Sequence, residues 1–238
     1  MQHNQAIKDN IQRVLNTIRE AELRSGRVQG AVRLMAVSKF HPVSSIISAA
    51  DAGQILFGEN RVQEAAAKFS EVKISVPMFE LHIIGSLQRN KVKTAVEIAS
   101  CIQSLDRLEL AECIEKHAAQ ANKIIHVLLE YHTGEDSKSG FTSQDDMYKT
   151  IDYVLAQCPH IRLDGFMTMA PFTSDIPLVR AAFRKLARVA QETQSRYPDV
   201  PLRELSMGMS NDYETAIEEG ASMVRVGTAI FGPREYAT

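Results

Sequence analysis

The sequence predicts an α/β fold, a single (β/α)8 barrel of the TIM type with one extra helix at its N-terminus. Eight short apolar runs follow one another along the chain, each trailed by a stretch whose apolar residues recur at helical spacing. The length, 238 residues, lies near the roughly 250 typical of one such barrel. No GxGxxG or GxxxxGKS segment follows the first run, as is common in the alternative architecture, an open doubly wound sheet.

Ile7, Ile11, Val14, Leu15 and Ile18 recur on one helix face and the pattern stops at Ser25-Gly26, so residues 1–26 form a leading amphipathic helix. The strand runs are RLMAVS (33–38), QILFG (54–58), ELHIIG (80–85), CIQSL (101–105), IIHVLLEY (124–131), RLDGFMTM (162–169), ELSM (204–207) and MVRVGTAIF (223–231). Between them, Asp106 and Glu109 have the spacing of a capping box, Pro177 suits a first helical turn, and Gly53 and Gly220 suit C-terminal caps. Strand and helix in strict alternation imply parallel strands joined by right-handed crossovers. No low-complexity linker or change of composition interrupts the series, so one domain over 1–238 is expected.

With 27 Lys+Arg against 29 Asp+Glu, the net charge of −2 supplies no field to hold a polyanion. Arg89, Asn90, Lys91 and Lys93 form the one local basic group and read as a solvated helix face, so no specific nucleic-acid partner is expected. Cys101, Cys113 and Cys158 are too widely spaced for a zinc knuckle or a CxxC pair and read as reduced thiols. The opening MQHNQAIKDN lacks the apolar core of a secretory signal, and no run approaches the ~18 apolar residues of a membrane span. The expected compartment is the cytoplasm, with no membrane partner.

In a barrel the working residues sit at the C-terminal strand ends. Lys39 follows Leu34-Met35-Ala36-Val37-Ser38 there, where desolvation favours a neutral amine able to attack an aldehyde; the alternative is a lysine snorkelling out of a strand end. The ends of the seventh and eighth runs carry Ser206-Met-Gly-Met-Ser210-Asn-Asp and Arg225-Val-Gly227-Thr228, in the loops where barrels commonly hold phosphate. Gly208 and Gly227 permit close backbone approach, and Ser210 or Asn211 at a helix start offers a polar group beside unpaired N–H groups; ordinary capping with a tight turn is the alternative. Lysine and cradle together point to a phosphorylated aldehyde. Asn60 could set an amide beside a ring or cap a helix. His82 reads as a satisfied core histidine, and Met167 and Met169 as barrel packing. The hydrophilic loop Thr133-Gly-Glu-Asp-Ser-Lys138-Ser-Gly140 reads as a mobile cover over the mouth.

At MAVSKFHP (35–42), FGENRVQE (57–64), HIIGSLQRNK (82–91), DSKSGF (136–141), LSMGMSNDYETAI (205–217) and VRVGTAIFG (224–232) the chain resembles the pyridoxal-phosphate homeostasis protein family, also called the YggS or PROSC family. The resemblance implies a barrel like the N-terminal domain of alanine racemase, without that enzyme's second domain. It implies pyridoxal 5′-phosphate (PLP) as cofactor, held as a Schiff base on Lys39. Ser210, Gly227 and Thr228 fall on the phosphate-holding segments, Arg225 where an arginine faces the pyridine nitrogen, and Asn60 near the ring. Lys138 matches a loop lysine linked to cofactor handling, and His82, Met167 and Ser206 complete the set considered for the cofactor. His41 stands where many members have a second lysine, a departure that puts a shuttle of cofactor between those positions in doubt.

The resemblance further implies a non-catalytic role in vitamin B6 homeostasis and amino-acid balance, with apo PLP-dependent enzymes as recipients and a monomer or weak dimer as the state in solution. The rival reading is a PLP-dependent racemase or other weak PLP enzyme. It needs a second base; Tyr131 and Tyr213 are strand-end or loop tyrosines that could serve, but neither sits in a segment resembling the one that carries the racemase's tyrosine base. A Schiff-base aldolase acting directly through Lys39 is the third reading.

Overall fold

The computed structural model describes residues 2–134 and 139–233. The helical pattern that opens the sequence folds as α1 (Gln2–Arg24). Strands and helices then alternate: β1 (Arg33–Val37), α2 (Val43–Asp51), β2 (Leu56–Glu59), α3 (Val62–Ser75), β3 (Glu80–Ile83), a 3-10 turn (Arg89–Lys91) leading into α4 (Val92–Ile98), β4 (Cys101–Leu105), α5 (Leu108–Gln120), β5 (Ile125–Glu130). The series continues with α6 (Gln144–Gln157), β6 (Ile161–Met167), α7 (Ile176–Arg196), β7 (Glu204–Ser206), α8 (Tyr213–Glu218), β8 (Met223–Val226) and α9 (Thr228–Phe231). The eight strands pair in parallel and in chain order, and β8 closes on β1, with Ala36 opposite both Phe57 and Val226. The predicted barrel is the observed one, and the open sheet is not.

Alternation along each strand divides the core in two. Leu34, Ala36, Phe57, Leu81 and Ile83 face outward and join the helix residues Ile46, Ala65, Phe69, Val72 and Val92 in the main cluster. Met35, Val37, Leu56, Ile84 and Met223 pack together inside the barrel, as do Cys101, Leu128 and Met167. This is the two-sided burial expected of a parallel sheet, and it explains why the strands read as continuous apolar runs. Helix α1 buries Ile7, Ile11, Val14 and Ile18 and packs on α2, α8 and α9, across the seam where the barrel closes. Its Asn10 amide donates to the Ile230 carbonyl at 2.8 Å, and its buried Glu22 accepts from Gly30 N and Val32 N at 2.9 and 2.8 Å.

Most predicted helix ends hold. Pro177 lies in the first turn of α7, capped by the Asp175 side chain, and Gly53 and Gly220 close α2 and α8 at φ values of +89° and +100°. The capping box at Asp106 does not form. Arg107 is the N-cap of α5 with no side-chain cap bond, and the Asp106 carboxylate is instead taken by the Arg107 guanidinium beside it. Arg89, Asn90 and Lys93 are exposed and Lys91 is half-buried around the start of α4. Among the described residues no helix is long and apolar enough to cross a membrane, and no cluster of His, Cys, Asp and Glu is arranged for a metal ion.

Candidate functional site

Lys39 lies just beyond β1 at the C-terminal mouth, half-buried, following inward-facing Met35 and Val37 by the same two-residue step. It sits in a turn whose next residue, Phe40, has φ +67°. Ser38 is buried behind it, its hydroxyl donating to Glu59 Oε1 at 2.7 Å. Lys68 of α3 reaches the same place, donating to the Ser38 carbonyl at 2.8 Å and pairing with Glu59 Oε1 at 2.5 Å.

The seventh and eighth strand ends bring the predicted cradle residues together across the loops. Ser210 does not cap α8, whose N-cap is Asp212. Its hydroxyl oxygen accepts instead from Gly227 N at 3.3 Å and Ala229 N at 3.4 Å, and so is bound to the loop after β8. Thr228 opens α9 and is exposed, as is Asn211. A side chain at Gly227 would meet the Val37 carbonyl oxygen at 3.2 Å, and one at Gly208, where φ is +91°, would meet Ala216 Cβ at 2.6 Å. Asn60 follows β2, half-buried; Arg61 is the N-cap of α3, so Asn60 is no cap. Gly85 brings the next loop onto the Asn60 backbone so closely that a Cβ there would lie 2.4 Å from the Asn60 carbonyl oxygen.

Arg225 points into the barrel from β8, only 4% exposed. It donates to Ser206 Oγ at 2.9 Å and to the Thr168 carbonyl at 2.7 Å, and among the described residues it forms no ion pair. Burial pushes its pKa down to about 10, while the charges of Asp212 and Glu130 pull the other way, so it remains a cation near neutrality. Below it runs a chain of buried polar groups. Ser206 donates to Gln103 Oε1 at 2.7 Å, and the Gln103 amide nitrogen lies 2.9 Å from His82 Nδ1 and 3.2 Å from Met223 Sδ. The direction is set by elimination. Arginine can only donate, so the buried Ser206 proton goes to Gln103, whose NH₂ then donates to His82 Nδ1 and leaves the imidazole proton on Nε2. Burial, aided by the Arg33 and His126 charges, holds the His82 pKa down at about 3, so this ring is neutral. The ring is buried and held through Nδ1 by Gln103, its Nε2 lies 3.8 Å from Glu80 Oε2, and Met167 is buried beside Cys101 and Leu128.

His82 also lines a cavity of about 330 Å³ at the opposite, N-terminal end, with Arg33, Glu80, His126, Asp164 and Glu204. The mouth is completed by the ends of β5 and β6. Thr168 donates to the Tyr131 carbonyl at 2.8 Å and lies 2.9 Å from the Thr133 hydroxyl, and Ser139 donates to both Glu130 oxygens at 2.9 and 3.0 Å. The segment 135–138, including Lys138, lies outside the described residues. Tyr131 and Tyr213 are both buried in the outer core, away from the barrel interior. Sequence reasoning missed Gln103, Lys68, Glu64 and Thr168. A glutamine inside the apolar run CIQSL was the one signal available, since its burial demands a polar partner.

The fold is a barrel on the plan of the alanine racemase N-terminal domain: residues 3–235 match the family described as Alanine racemase, N-terminal domain. The chain belongs to the pyridoxal phosphate homeostasis proteins within it. The protein of that name from Aquifex aeolicus is 39% identical over 228 residues, 96% of this chain and 98% of its own. The one from Escherichia coli K12 is 36% identical over 233 residues, 97% of this chain and 98% of its own. PipY of Synechococcus elongatus, solved with PLP bound, superposes with a TM-score of 0.80 at 37% identity, covering 91% of this chain and 99% of PipY. Alanine racemase from Corynebacterium glutamicum shares the fold, with a TM-score of 0.69 at 18% identity over 98% of this chain and 62% of the racemase.

Proposed function

We propose that this chain is a PLP-binding protein that holds the cofactor as a Schiff base on Lys39 and serves intracellular vitamin B6 homeostasis and amino-acid balance as a store or carrier. The observation that carries the reading is the meeting at one mouth of Lys39 after β1, the Ser210 hydroxyl with the Gly227 and Ala229 N–H groups, and the buried cation Arg225. Amine, phosphate donors and ring-nitrogen partner are the three attachments that a phosphorylated pyridine aldehyde requires. Thr228 adds a hydroxyl beside the phosphate and Asn60 an amide beside the ring. Ser206 holds Arg225, with His82 and Met167 beneath. Lys138, outside the described residues, is assigned by the family resemblance a part in cofactor handling, attracting the departing phosphate or competing for the aldehyde. The binding by PipY and the naming of the relatives support this assignment.

When bound, PLP supplies an electron sink whose strength depends on protonation of its ring nitrogen. A charged Arg225 facing that nitrogen repels the proton and weakens the sink. Racemisation also needs a second base, and neither Tyr131 nor Tyr213 reaches the barrel interior. Both features favour storage and transfer to apo PLP-dependent enzymes over turnover. The proposal includes a cytoplasmic location, one domain over 1–238 and a monomer or weak dimer. The alternative is a PLP-dependent racemase or other weak PLP enzyme, and it shares the fold with alanine racemase.

The test is an absorbance spectrum of the PLP-loaded protein before and after borohydride, with peptide mapping, on the parent and Lys39→Ala. The parent should show a visible band that reduction fixes on the Lys39 peptide, and the variant should lose it while staying folded. An equal reducible adduct in the variant would refute the anchor. Turnover of alanine, serine or glutamate at ordinary enzymatic rates, ~1–10³ s⁻¹, would replace the carrier by the enzyme.

A further inference from the structure

The turn that bears Lys39 is held from behind by a group of charges. Phe40 adopts φ +67°, a left-handed conformation that a residue with a Cβ keeps only where its surroundings impose it. The imposing groups come from β2 and from two residues one turn apart on α3. Glu64 Oε1 accepts from Phe40 N at 2.7 Å. Lys68 Nζ donates to the Ser38 carbonyl at 2.8 Å, lies 3.4 Å from the His41 carbonyl, and pairs with Glu64 Oε1 at 3.0 Å and Glu59 Oε1 at 2.5 Å. The backbone on both sides of Lys39 therefore ends on one ammonium and one carboxylate.

This group is not a solvent-screened surface pair. The Lys68 side chain is 12% exposed and that of Glu59 0%. Among the described residues, the buried Glu59 Oε2 has no hydrogen-bond partner. Burying an ion pair so completely is a poor route to stability, because desolvation offsets much of the attraction. The three protons of Lys68 are taken by Ser38, Glu59 and Glu64, so it is no nucleophile or base itself. Its geometric consequence is local: it holds the Ser38 carbonyl directly before Lys39 and lies within 3.4 Å of the His41 carbonyl after it.

We propose that Lys68 and Glu64 are positioning residues for Lys39, clamping the Ser38–His41 turn in the conformation that aims its amine at the aldehyde. The inference rests on the reading of Lys39 as the PLP anchor. The full-length chain would be compared as parent, Lys68→Met, Lys68→Arg and Glu64→Leu. The measurements are the rate and pH profile of PLP capture on Lys39, by borohydride trapping and peptide mapping, and the labelling of Lys39 by an amine reagent in the PLP-free protein.

Methionine keeps the stem of Lys68 and loses its three donations. A misplaced reacting atom slows the step by roughly ten- to a hundredfold, so capture by Lys68→Met should fall by that factor and its pH profile should move. Lys68→Arg, which still donates to carbonyls and carboxylates, should recover most of the rate. Glu64→Leu, which frees Phe40 N and one Lys68 donation but leaves Lys68 on Ser38 and Glu59, should give a smaller loss, and it decides the matter if Lys68→Met does not fold. Parental capture rate and Lys39 labelling in the folded variants would overturn the proposal. If borohydride places no PLP on Lys39 in the parent, the anchor reading fails. The PLP-free labelling then still reports whether the clamp governs the Lys39 amine.

Discussion

Replacing Gln103 by Leu tests the hydrogen-bond chain that supports Arg225 from inside the barrel. Gln103 and Ser206 are fully buried and His82 is 5% exposed, so no solvent stands ready to replace a lost partner. Leucine nearly conserves the volume but can neither accept the Ser206 proton nor donate to His82 Nδ1. Each buried polar group left without a partner costs about 1–3 kcal/mol, so the two together cost roughly 2–6 kcal/mol. The gain in apolar packing offsets part of this. For a chain of this length, about 2–4 °C of melting temperature goes with each kcal/mol, and a drop of roughly 5–15 °C is expected. Thermal and urea unfolding would measure it. In parallel, nitrogen NMR of the His82 ring in the parent should show the proton on Nε2 and a bare Nδ1. A Leu variant within about 0.5 kcal/mol of the parent, the range of an ordinary surface change, would refute the derived chain. So would an Nδ1–H tautomer in the parent.

Two further outcomes follow from the same geometry. The folded His82 pKa of about 3 lies below the ordinary 6.5, so between these values the unfolded chain takes up a proton that the folded chain refuses. Stability should therefore fall with acid through that window, by up to about 1.4 kcal/mol per pH unit from this group. Urea midpoints of His82→Asn should show a shallower acid limb than the parent, and parallel limbs would disprove the assignment. Ser210→Ala removes a hydroxyl that would bond a charged phosphate, worth ~1.5–3 kcal/mol, or roughly ten- to over a hundredfold in PLP affinity. Pyridoxal without the phosphate should bind the two proteins alike, and an equal loss for both ligands would sink the cradle.

Sequence by itself determined the elements and their order. The face of α1, the eight runs and the stops at Gly53 and Gly220 are written in spacings of two to four residues, over which backbone geometry translates pattern into structure directly. The places of Lys39, Ser210, Arg225 and Gly227 at or near strand ends were legible for the same reason, because strand ends are local features. Local spacing misled at Asp106, where the neighbouring Arg107 guanidinium outcompetes the backbone N–H groups for the carboxylate. At Ser210 it pointed to a cap, whereas the folded loops bring Gly227 and Ala229 to that oxygen from 17 and 19 residues away.

Only the tertiary structure decided which polar groups meet inside the barrel. Ser206 finds Gln103 across 103 residues of chain, Arg225 finds Thr168 across 57, and Lys68 finds Ser38 across 30. Nothing in the residue types fixes these pairs. They arise because closure of β8 on β1 sets the register of every strand, and a shift of one residue would turn each inward group out into the helical layer.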